Sequence, residues 1–513
     1  MTHDNAALYF VDRHVEEGRG DKPVFLEAAG GKRAQSYAEL SARSGQVAGA
    51  LKRAGINREE RMACIVLDQL EYPEIFWGGL KSGAVPVALN TLLSSSVYEA
   101  ILKDSRAAIL FVSVELLEVV MPAALSSSDL RKIVVIGGDA PEGTMSYEDF
   151  MAGAETLPAI EAMADEVAFW LYSSGSTGQP KGVRHVHGAL KATADTYGAQ
   201  VLGIREDDVV YSAAKIFFAY GMGNALTFPM AVGATTILFN GRPTPDAVLE
   251  IISQMKPSIY YGVPTLYAAT LAALEGKPTP PSAMRLCVSA GEALPEEIGN
   301  RWREVWGVDI LDGVGSTEML HIFLSNRLGD IVYGTSGIAV PGYDLRCVDE
   351  DGADVAIGGV GELLVRGASA ADGYWNKRDK SRATFEGEWT RTGDKYILQQ
   401  DGRFVYCGRT DDMFKVSGIW VSPFEIEQAL SAHSGVLEAA VVAARDDDGL
   451  EKPKAFIVLK AGSDAAEVQH ALKEFVKERI GKWKYPRWIE VVDDLPKTAT
   501  GKIQRFKLRE VEA

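Results

Sequence analysis

No stretch of this chain approaches the roughly 18 consecutive apolar residues that a membrane-spanning helix needs, so no crossing and no membrane partner is expected. Cysteine is scarce: Cys64, Cys287, Cys347 and Cys407 lie far apart, in none of the paired spacings that zinc or dithiol chemistry uses. They read as small buried hydrophobes, and the compartment as cytoplasmic. Basic charge is also in deficit. Lys and Arg number 53 against 70 Asp and Glu, a net charge of −17, which argues against a nucleic-acid or anionic-membrane surface. A phosphate-bearing ligand must therefore be held by a local site. The opening MTHDNAALYFVDRHVEEGRG interrupts its apolar positions with charge, so a secretory leader is not expected. Internal repeats and low-complexity segments are missing too. What is present is ordinary for a globular enzyme: 513 residues, 47% hydrophobic and 24% charged. At about 150 residues per domain the length allows three or four structural units.

From residue 62 to about 325 apolar runs alternate with helical stretches. Strands are expected at 62–67, 85–89, 108–113, 132–137, 167–172 and 235–239, with helices at 71–82, from Ser96 to about Ser105, and from about Gly188. Ser96 and Glu99 have the spacing of a capping box, in which hydroxyl and carboxylate each satisfy an orphan amide. Strand–helix–strand alternation implies parallel sheets with helices on their faces. After residue 330 the texture changes to short strands and glycine turns (342–352, 361–367, 402–409), expected as hairpins of a small antiparallel unit. A last unit follows Arg409: helix 423–432, strands 436–444 and 454–460, helix 464–480 and strand 488–493.

Four segments carry chemistry. In Ser173-Ser174-Gly175-Ser176-Thr177-Gly178-Gln-Pro-Lys181 a strand ends in hydroxyls and glycines before a lysine. Glycines let successive amides converge on an anion, and hydroxyls and an ammonium add to them, so the composition suits a polyphosphate. The spacing does not fit G-x-x-x-x-G-K-[ST]. In Asp312-Gly313-Val-Gly315-Ser-Thr317-Glu318 the carboxylate is either a surface acid or, facing the first loop, a Mg²⁺ holder with phosphates and water completing the octahedron. In Thr392-Gly-Asp394 and Gly408-Arg409-Thr-Asp411-Asp412 the residues serve either turns or ribose hydroxyls. The fourth, Pro496 to Arg505 with Lys502 after a glycine, belongs to a stretch (481–510) of eight Lys and Arg against four Asp and Glu. It is either a solvated basic face or a loop reaching into a site. His185 and His187 have no third ligand and read as the lead-in to a helix.

Together, in this order and spacing, the four segments resemble the ANL superfamily of adenylate-forming enzymes over nearly the whole chain. Lys215-Ile-Phe217-Phe-Ala219-Tyr220-Gly221, the stretch 313–323 with His321 and Ile322, and Asp493 to Arg505 resemble its benzoate and hydroxybenzoate CoA ligase branch. Val314 stands where a tyrosine is common, a departure this branch shares. The resemblance implies an α/β fold: a large N-terminal domain (1–409) of two parallel-type α/β subdomains plus a small β-barrel-like subdomain (about 330–409), and a small mobile α+β C-terminal domain (410–513). It implies ATP, Mg²⁺ and coenzyme A as cofactors and an aromatic acid as substrate, and it is compatible with a homodimer. By the same resemblance the loop 173–181 holds β- and γ-phosphates. Thr317 and Glu318 hold the α-phosphate and Mg²⁺, Asp394 and Arg409 the ribose, and Ala290-Gly291-Glu292 lies against adenine. Lys502 bridges carboxylate and phosphate during adenylation. Rotation about Asp411 then brings in the face bearing Lys415 and Gly418, the latter lining a pantetheine tunnel.

The acid slot is expected to be lined by Phe217, Ala219, Tyr220, Gly221, Gly313, Gly315, His321 and Ile322, where small residues beside aromatics can make a flat cavity of ring size. Benzoate is the first expectation, with 4-hydroxybenzoate and aminobenzoates as alternatives. A stand-alone adenylation domain that loads a carrier protein, and a non-catalytic binding protein, are the rival classes.

Overall fold

The computed structural model describes residues 4–28, 33–174, 180–416, 419–446, 450–460, 462–481, 484–497 and 503–510. The chain packs as two compact units, residues 1–344 with 365–390 and residues 345–364 with 391–513. The expected division at residues 409 and 410 does not coincide with a boundary of these units and is taken up below as a proposal.

The first unit holds two large sheets. One runs in the order Gly373–Tyr374, Pro180–Val186, Val167–Ser174, Val85–Ala88, Arg61–Ile65, Ile109–Ser113, Lys132–Ile136, Met145–Ser146. The other runs Ile338–Ala339, Ile322–Ser325, Ile310–Gly315, Leu286–Ser289, Ile259–Gly262, Val209–Ser212, Thr235–Leu238, Pro23–Glu27, Ala34–Ser36. Their centres are parallel, as the alternation predicts. Strand Ile109–Ser113 is buried along its whole length, because helices cover both faces of such a sheet. Helix Glu71–Ser82 spans the expected residues.

Three details differ from expectation. Helix Ser95–Ser105 is preceded by an extended Ser94, and Ser96 Oγ lies 3.1 Å from Ser94 Oγ, so the Ser96–Glu99 capping box does not form. A complete box forms instead at Ser36 and Glu39, with hydrogen bonds of 3.2 and 2.7 Å. The stretch before Gly188 is a strand, Pro180–Val186, which carries His185; His187 opens the helix, whose second half, Ala194–Leu202, is wound as a π-helix. Most consequentially, each parallel sheet gives way to an antiparallel edge. Val167–Ser174 pairs antiparallel with Pro180–Val186, and Ile310–Gly315 antiparallel with Ile322–Ser325. Connections as short as 175–179 and 316–321 cannot make a parallel crossover, which needs about a dozen residues or more. Both loops singled out for phosphate and metal are therefore hairpin connections.

In the second unit the strand Trp389–Leu398, which enters it at Arg391, pairs antiparallel with Phe404–Arg409 through Asp394 to Leu398. Farther along, Val436–Arg445 and Glu451–Leu459 make a long antiparallel ladder, and Trp488–Val491 adds in parallel after helix Ala465–Ile480. Helix Pro423–Ser431 is capped by Ser422, whose Oγ accepts from Glu425 N. Ile426, Leu430, Val441, Ile457, Leu472 and Val476 build the core of this unit, each buried side chain stabilising it by about 1.5–3 kcal/mol. The hairpins expected after residue 330 and the α+β C-terminal elements are present.

Candidate active site

In the first unit the hairpin register sets Ser173 opposite Lys181. Ser173 Oγ is buried without a partner among the described residues. Ser174 ends its strand, and Gly175, Ser176, Thr177 and Gly178 lie outside the described residues. Lys181 Nζ is 3.8 Å from Glu318 Oε1 and 3.4 Å from Tyr374 Oη, and it sits 4.4 Å from the centre of the Tyr374 ring. Tyr374 Oη donates a 2.7 Å hydrogen bond to Glu318 Oε1. An ammonium, a carboxylate and a phenol thus form one cluster, whose two charged side chains are about six-sevenths buried, with 15% and 16% exposure.

Tyr374 is the residue that sequence reasoning missed. It lies on the two-residue strand Gly373–Tyr374, which pairs with Val183 and Arg184. The surrounding segment is tied to both hairpins: Trp375 N donates to Gly182 O and Asp372 N to Arg184 O, while Ala371 N donates to Glu318 O and Ser369 Oγ to Met319 O. Its only sequence signal is an aromatic pair after a glycine, Gly373-Tyr374-Trp375.

The residues expected near adenine also lie in this unit. Ala290 is buried and Gly291 adopts φ +95°, while Glu292 is half-buried. Asp312 pairs in register with Ser289. Burial pushes the Asp312 carboxyl well up, against hydrogen bonds from the Leu294 and Gly313 amides, and its Oδ1 has no partner among the described residues.

At the expected acid slot, Phe217 is buried against Phe218, with ring centres 4.4 Å apart. Ala219, Tyr220 and Gly221 form the short helix Ala219–Met222. A Cβ on Gly221 would lie 1.9 Å from Lys215 O, and one on Gly315 2.5 Å from His321 O, so neither position has room for a side chain. Ile322 packs on Gly313, where a Cβ would stand 2.9 Å from its Cδ1. Tyr220 Oη is within hydrogen-bond reach of the Gly262 and Val288 carbonyls. His321 Nε2 is 3.2 Å from both Tyr220 O and Asn224 Oδ1. The carbonyl can only accept, so this nitrogen carries the proton. Burial lowers the His321 pKa to about 3, against the Tyr220 carbonyl, and the ring is neutral near pH 7. The connection 316–321 therefore reaches Lys181 and Tyr374 through Glu318, and Tyr220 through His321. Thr317, beside Glu318, is half-buried.

Asp394 and Arg409 meet in the second unit. Arg409 Nη1 donates to Asp394 Oδ1 and to Thr392 O, both at 3.0 Å. A Cβ on Gly393, which has φ +71°, would press within 2.9 Å of Arg409 Nη2. Lys415 is the middle residue of strand Phe414–Val416, opposite Trp420; Asp411 is exposed. Gly418 and Lys502 lie outside the described residues. Among the described residues no group of three or more His, Cys, Asp or Glu could enclose a metal ion. Glu318 offers a single carboxylate, which fits a Mg²⁺ that takes other ligands from a polyphosphate and water.

The AMP-binding enzyme family model matches residues 11–375, and the AMP-binding enzyme C-terminal domain model matches residues 425–502. The chain belongs to this family of adenylate-forming enzymes. It is 52% identical over 511 residues to a 4-hydroxybenzoate–CoA/benzoate–CoA ligase of Rhodopseudomonas palustris, covering 99% of this chain and 94% of that one. To a benzoate–CoA ligase of Thauera aromatica it is 53% identical over 508 residues, covering 98% and 95%. Its fold matches a crystal structure of the anthranilate CoA ligase AuaEII in complex with anthranoyl-AMP, with a TM-score of 0.94, 43% identity and coverage of 99% and 97%.

Proposed function

We propose that this chain is an ATP-dependent, AMP-forming aryl-CoA ligase acting first on benzoate, with 4-hydroxybenzoate as the second reading. A carboxylate is a poor acyl donor, because its leaving group would be oxide. In the first half-reaction a carboxylate oxygen attacks the α-phosphorus of ATP, and pyrophosphate leaves to give acyl-AMP. In the second, the CoA sulfur, having lost its proton, attacks the acyl carbon, and AMP leaves as the thioester forms.

The observation that carries this reading is the double reach of the connection 316–321. Its acidic end meets the phosphate-loop lysine, and its aromatic end meets the glycine-floored segment 217–221. Charge at the nucleotide end and a tight apolar slot at the other suit the joining of a polyphosphate to a ring acid. Lys181 with the loop 173–178 would bind β- and γ-phosphates, and Thr317 the α-phosphate. Glu318 would hold Mg²⁺, which supplies positive charge to the phosphates. Asp394 and Arg409 would hold the ribose, and residues 290–292 and Asp312 would lie at adenine. Lys502 would offset the negative charge that gathers on carboxylate and phosphate as they approach. The functional division at residues 409 and 410, with turning at Asp411, belongs to the same proposal, as do the roles of Lys415 and Gly418 in thioester formation. So do a homodimer and a cytoplasmic setting, the latter supported by four free, buried cysteines.

The neutral His321 ring, its Nε2–H already engaged, supports an apolar slot and hence benzoate. Its Nδ1, an acceptor without a partner among the described residues, favours 4-hydroxybenzoate as the second reading. Comparing kcat/KM decides between them. A slot built to bond a para hydroxyl rejects the unsubstituted acid by roughly 10⁴ or more, whereas an apolar slot separates the two by about 10–200. Preference for octanoate over both would overturn the aryl assignment. Transfer to a phosphopantetheinyl protein but not to free CoA would overturn the CoA ligase.

A further inference from the structure

The segment around Asp411 is anchored on both sides, and the two anchors are different. On its N-terminal side, Arg409 is held by Asp394 and Thr392 O, and Thr410 N donates to Gly393 O at 2.8 Å. On its C-terminal side, Asp412 turns to the last helix, Arg505–Glu510. Its Oδ1 lies 3.1 Å from Arg509 Nη2 and its Oδ2 3.4 Å from Arg505 Nη1. Arg509 Nη1 also lies 3.4 Å from Asp411 O. Arg505 at the same time grips Glu427 with two parallel hydrogen bonds, Nε to Oε1 at 2.9 Å and Nη2 to Oε2 at 2.6 Å. Glu427 Oε1 in turn accepts from Val441 N at 2.8 Å, which fixes the fork to the central ladder of the unit. Glu427, Asp412 and Arg505 side chains are only 8%, 14% and 20% exposed. Burial alone would weaken the charge on Arg505; the two carboxylates more than restore it. A bidentate guanidinium–carboxylate pair fixes direction as well as distance, which a lysine in its place would not do.

Arg505 also stands three residues after Lys502. The loop that carries this lysine is closed at its base, where Lys497 and Ile503 form an antiparallel bridge and Gln504 N donates to Pro496 O at 2.7 Å. Leu495 and Leu508, on either side of the loop, bury into one cluster with Ala440, Val442 and Phe456.

We propose that Arg505 and Arg509, through Asp412 and Glu427, are positioning residues that fasten the base of the lysine loop to the hinge, leaving Asp411 as the one residue between two anchors. The inference rests on the adenylation role of Lys502 and the turning point at Asp411 given above. A turn at that point breaks local bonds, those from Asp412 N and Met413 N to Arg409 O, and keeps every ion pair of Asp412. Lys497 and Ile503, the described residues that flank Lys502 in sequence, then travel with the hinge as one piece, and Arg505 sets the direction in which they are carried. Arg505 touches no substrate in this scheme; it acts through the loop.

The test compares Arg505→Met, Arg505→Lys, Arg509→Met and Lys502→Ala in the full-length enzyme. Pyrophosphate release is measured with ATP and benzoate, thioester formation with synthetic benzoyl-adenylate and CoA, and thermal unfolding in parallel. Arg505→Met is expected to lower the adenylation kcat by about tenfold or more while KM for ATP and benzoate stays within about threefold, the mark of a contact realised only in the transition state. Thioester formation from the supplied adenylate is expected within about threefold of the parent. Arg505→Lys, which keeps charge but loses the fork, falls between, and Arg509→Met follows Arg505→Met in direction. Equal loss of both half-reactions in Arg505→Lys and Arg505→Met would make the pair merely structural and overturn the proposal, as would parent-like rates. Full adenylation by Lys502→Ala would instead overturn the functional reading beneath it.

Discussion

The phenol of Tyr374 donates to the Glu318 carboxylate at 2.7 Å, while its ring lies under the Lys181 ammonium at 4.4 Å. One side chain thereby touches both the proposed metal-holding acid and the proposed phosphate-binding lysine, by different means. The hydroxyl orients one carboxylate oxygen, and the ring face attracts the cation.

Tyr374→Phe separates these two contacts, because the ring stays and only the hydroxyl goes. The variant is expected to bind MgATP about 10- to 100-fold more weakly in a calorimetric titration and to need more Mg²⁺ for half-maximal pyrophosphate exchange, in line with about 1.5–3 kcal/mol for a hydrogen bond to a charged group. KM for the aromatic acid should hold. Unaltered MgATP affinity would remove Tyr374 from the site.

The acid slot has a sharper steric test. Gly221 and Gly315 approach backbone atoms too closely for any Cβ, at 1.9 Å from Lys215 O and 2.5 Å from His321 O. Gly221→Ala must therefore push apart the segment carrying Phe217 and Tyr220. A displacement of about 1 Å can cost roughly 100-fold in rate, so kcat/KM for benzoate is expected to fall by at least about tenfold, with KM for ATP unaltered. A variant that loses ATP and acid affinity alike would place Gly221 in general packing instead of the slot.

Much of this site can be read from residues close together in the chain, and the rest depends on contacts far apart. The hydroxyl–glycine–lysine run stands out because its residue types suit an anion within a few positions, whereas Thr317-Glu318 taken alone reads equally as a surface acid. Tyr374 does not, since it is 56 residues from Glu318 and sits on a strand of two residues, too short to show a period. Alternation of apolar runs correctly implies the parallel sheet centres, because buried parallel strands are continuous apolar stretches. It says nothing of the antiparallel edges, where Pro180–Val186 mixes charge, histidine and valine and depends on pairing partners for its shape. The Ser96–Glu99 pair shows the opposite failure: the spacing is right, but the Ser96 hydroxyl lies beside Ser94.

Histidine burial sets the response to acid. Burial lowers His185 and His321 to about 3 and His14 and His187 to about 4, against an ordinary value of 6.5. Above pH 6.5 each is neutral folded or unfolded and contributes no pH dependence. Below it the unfolded chain takes up protons that the folded chain refuses, so stability falls as pH falls from 6.5 toward 3, by about 1.4 kcal/mol per pH unit for each fully titrating group. Asp68 and Asp312 work in the other direction: burial, only partly offset by Lys215 and the Ile216 amide, raises the Asp68 carboxyl from 3.8 to about 6, and burial holds the Asp312 carboxyl well up. The folded state then holds protons that the unfolded chain lacks between about 6 and 3.8, which offsets two of the four histidines in that window. Unfolding free energy measured from pH 7 to 5 should decline, and His185→Leu should make the decline shallower by one proton. A parallel curve for the variant would mean that His185 titrates normally in the fold.

The two lysines assigned to the two half-reactions stand on separate elements of the second unit. Lys415 is held in the strand Phe414–Val416, which pairs with Ile419–Val421. Lys502 lies outside the described residues, between Lys497 and Ile503, which form an antiparallel bridge on the far side of the central ladder in sequence. No hydrogen-bonded register joins the two elements among the described residues, so replacing one lysine leaves the scaffold of the other intact. Lys502→Ala is expected to lower adenylation of free benzoate by about 10²–10³, the usual loss for one charge-stabilising donor, with thioester formation from supplied benzoyl-adenylate nearly unaffected. Lys415→Ala is expected to do the reverse, releasing pyrophosphate at a near-parent rate in the first turnover and then stalling with acyl-adenylate bound. Rapid-quench measurement of both steps in both variants distinguishes this from a single shared site, for which each substitution would slow both steps by a similar factor.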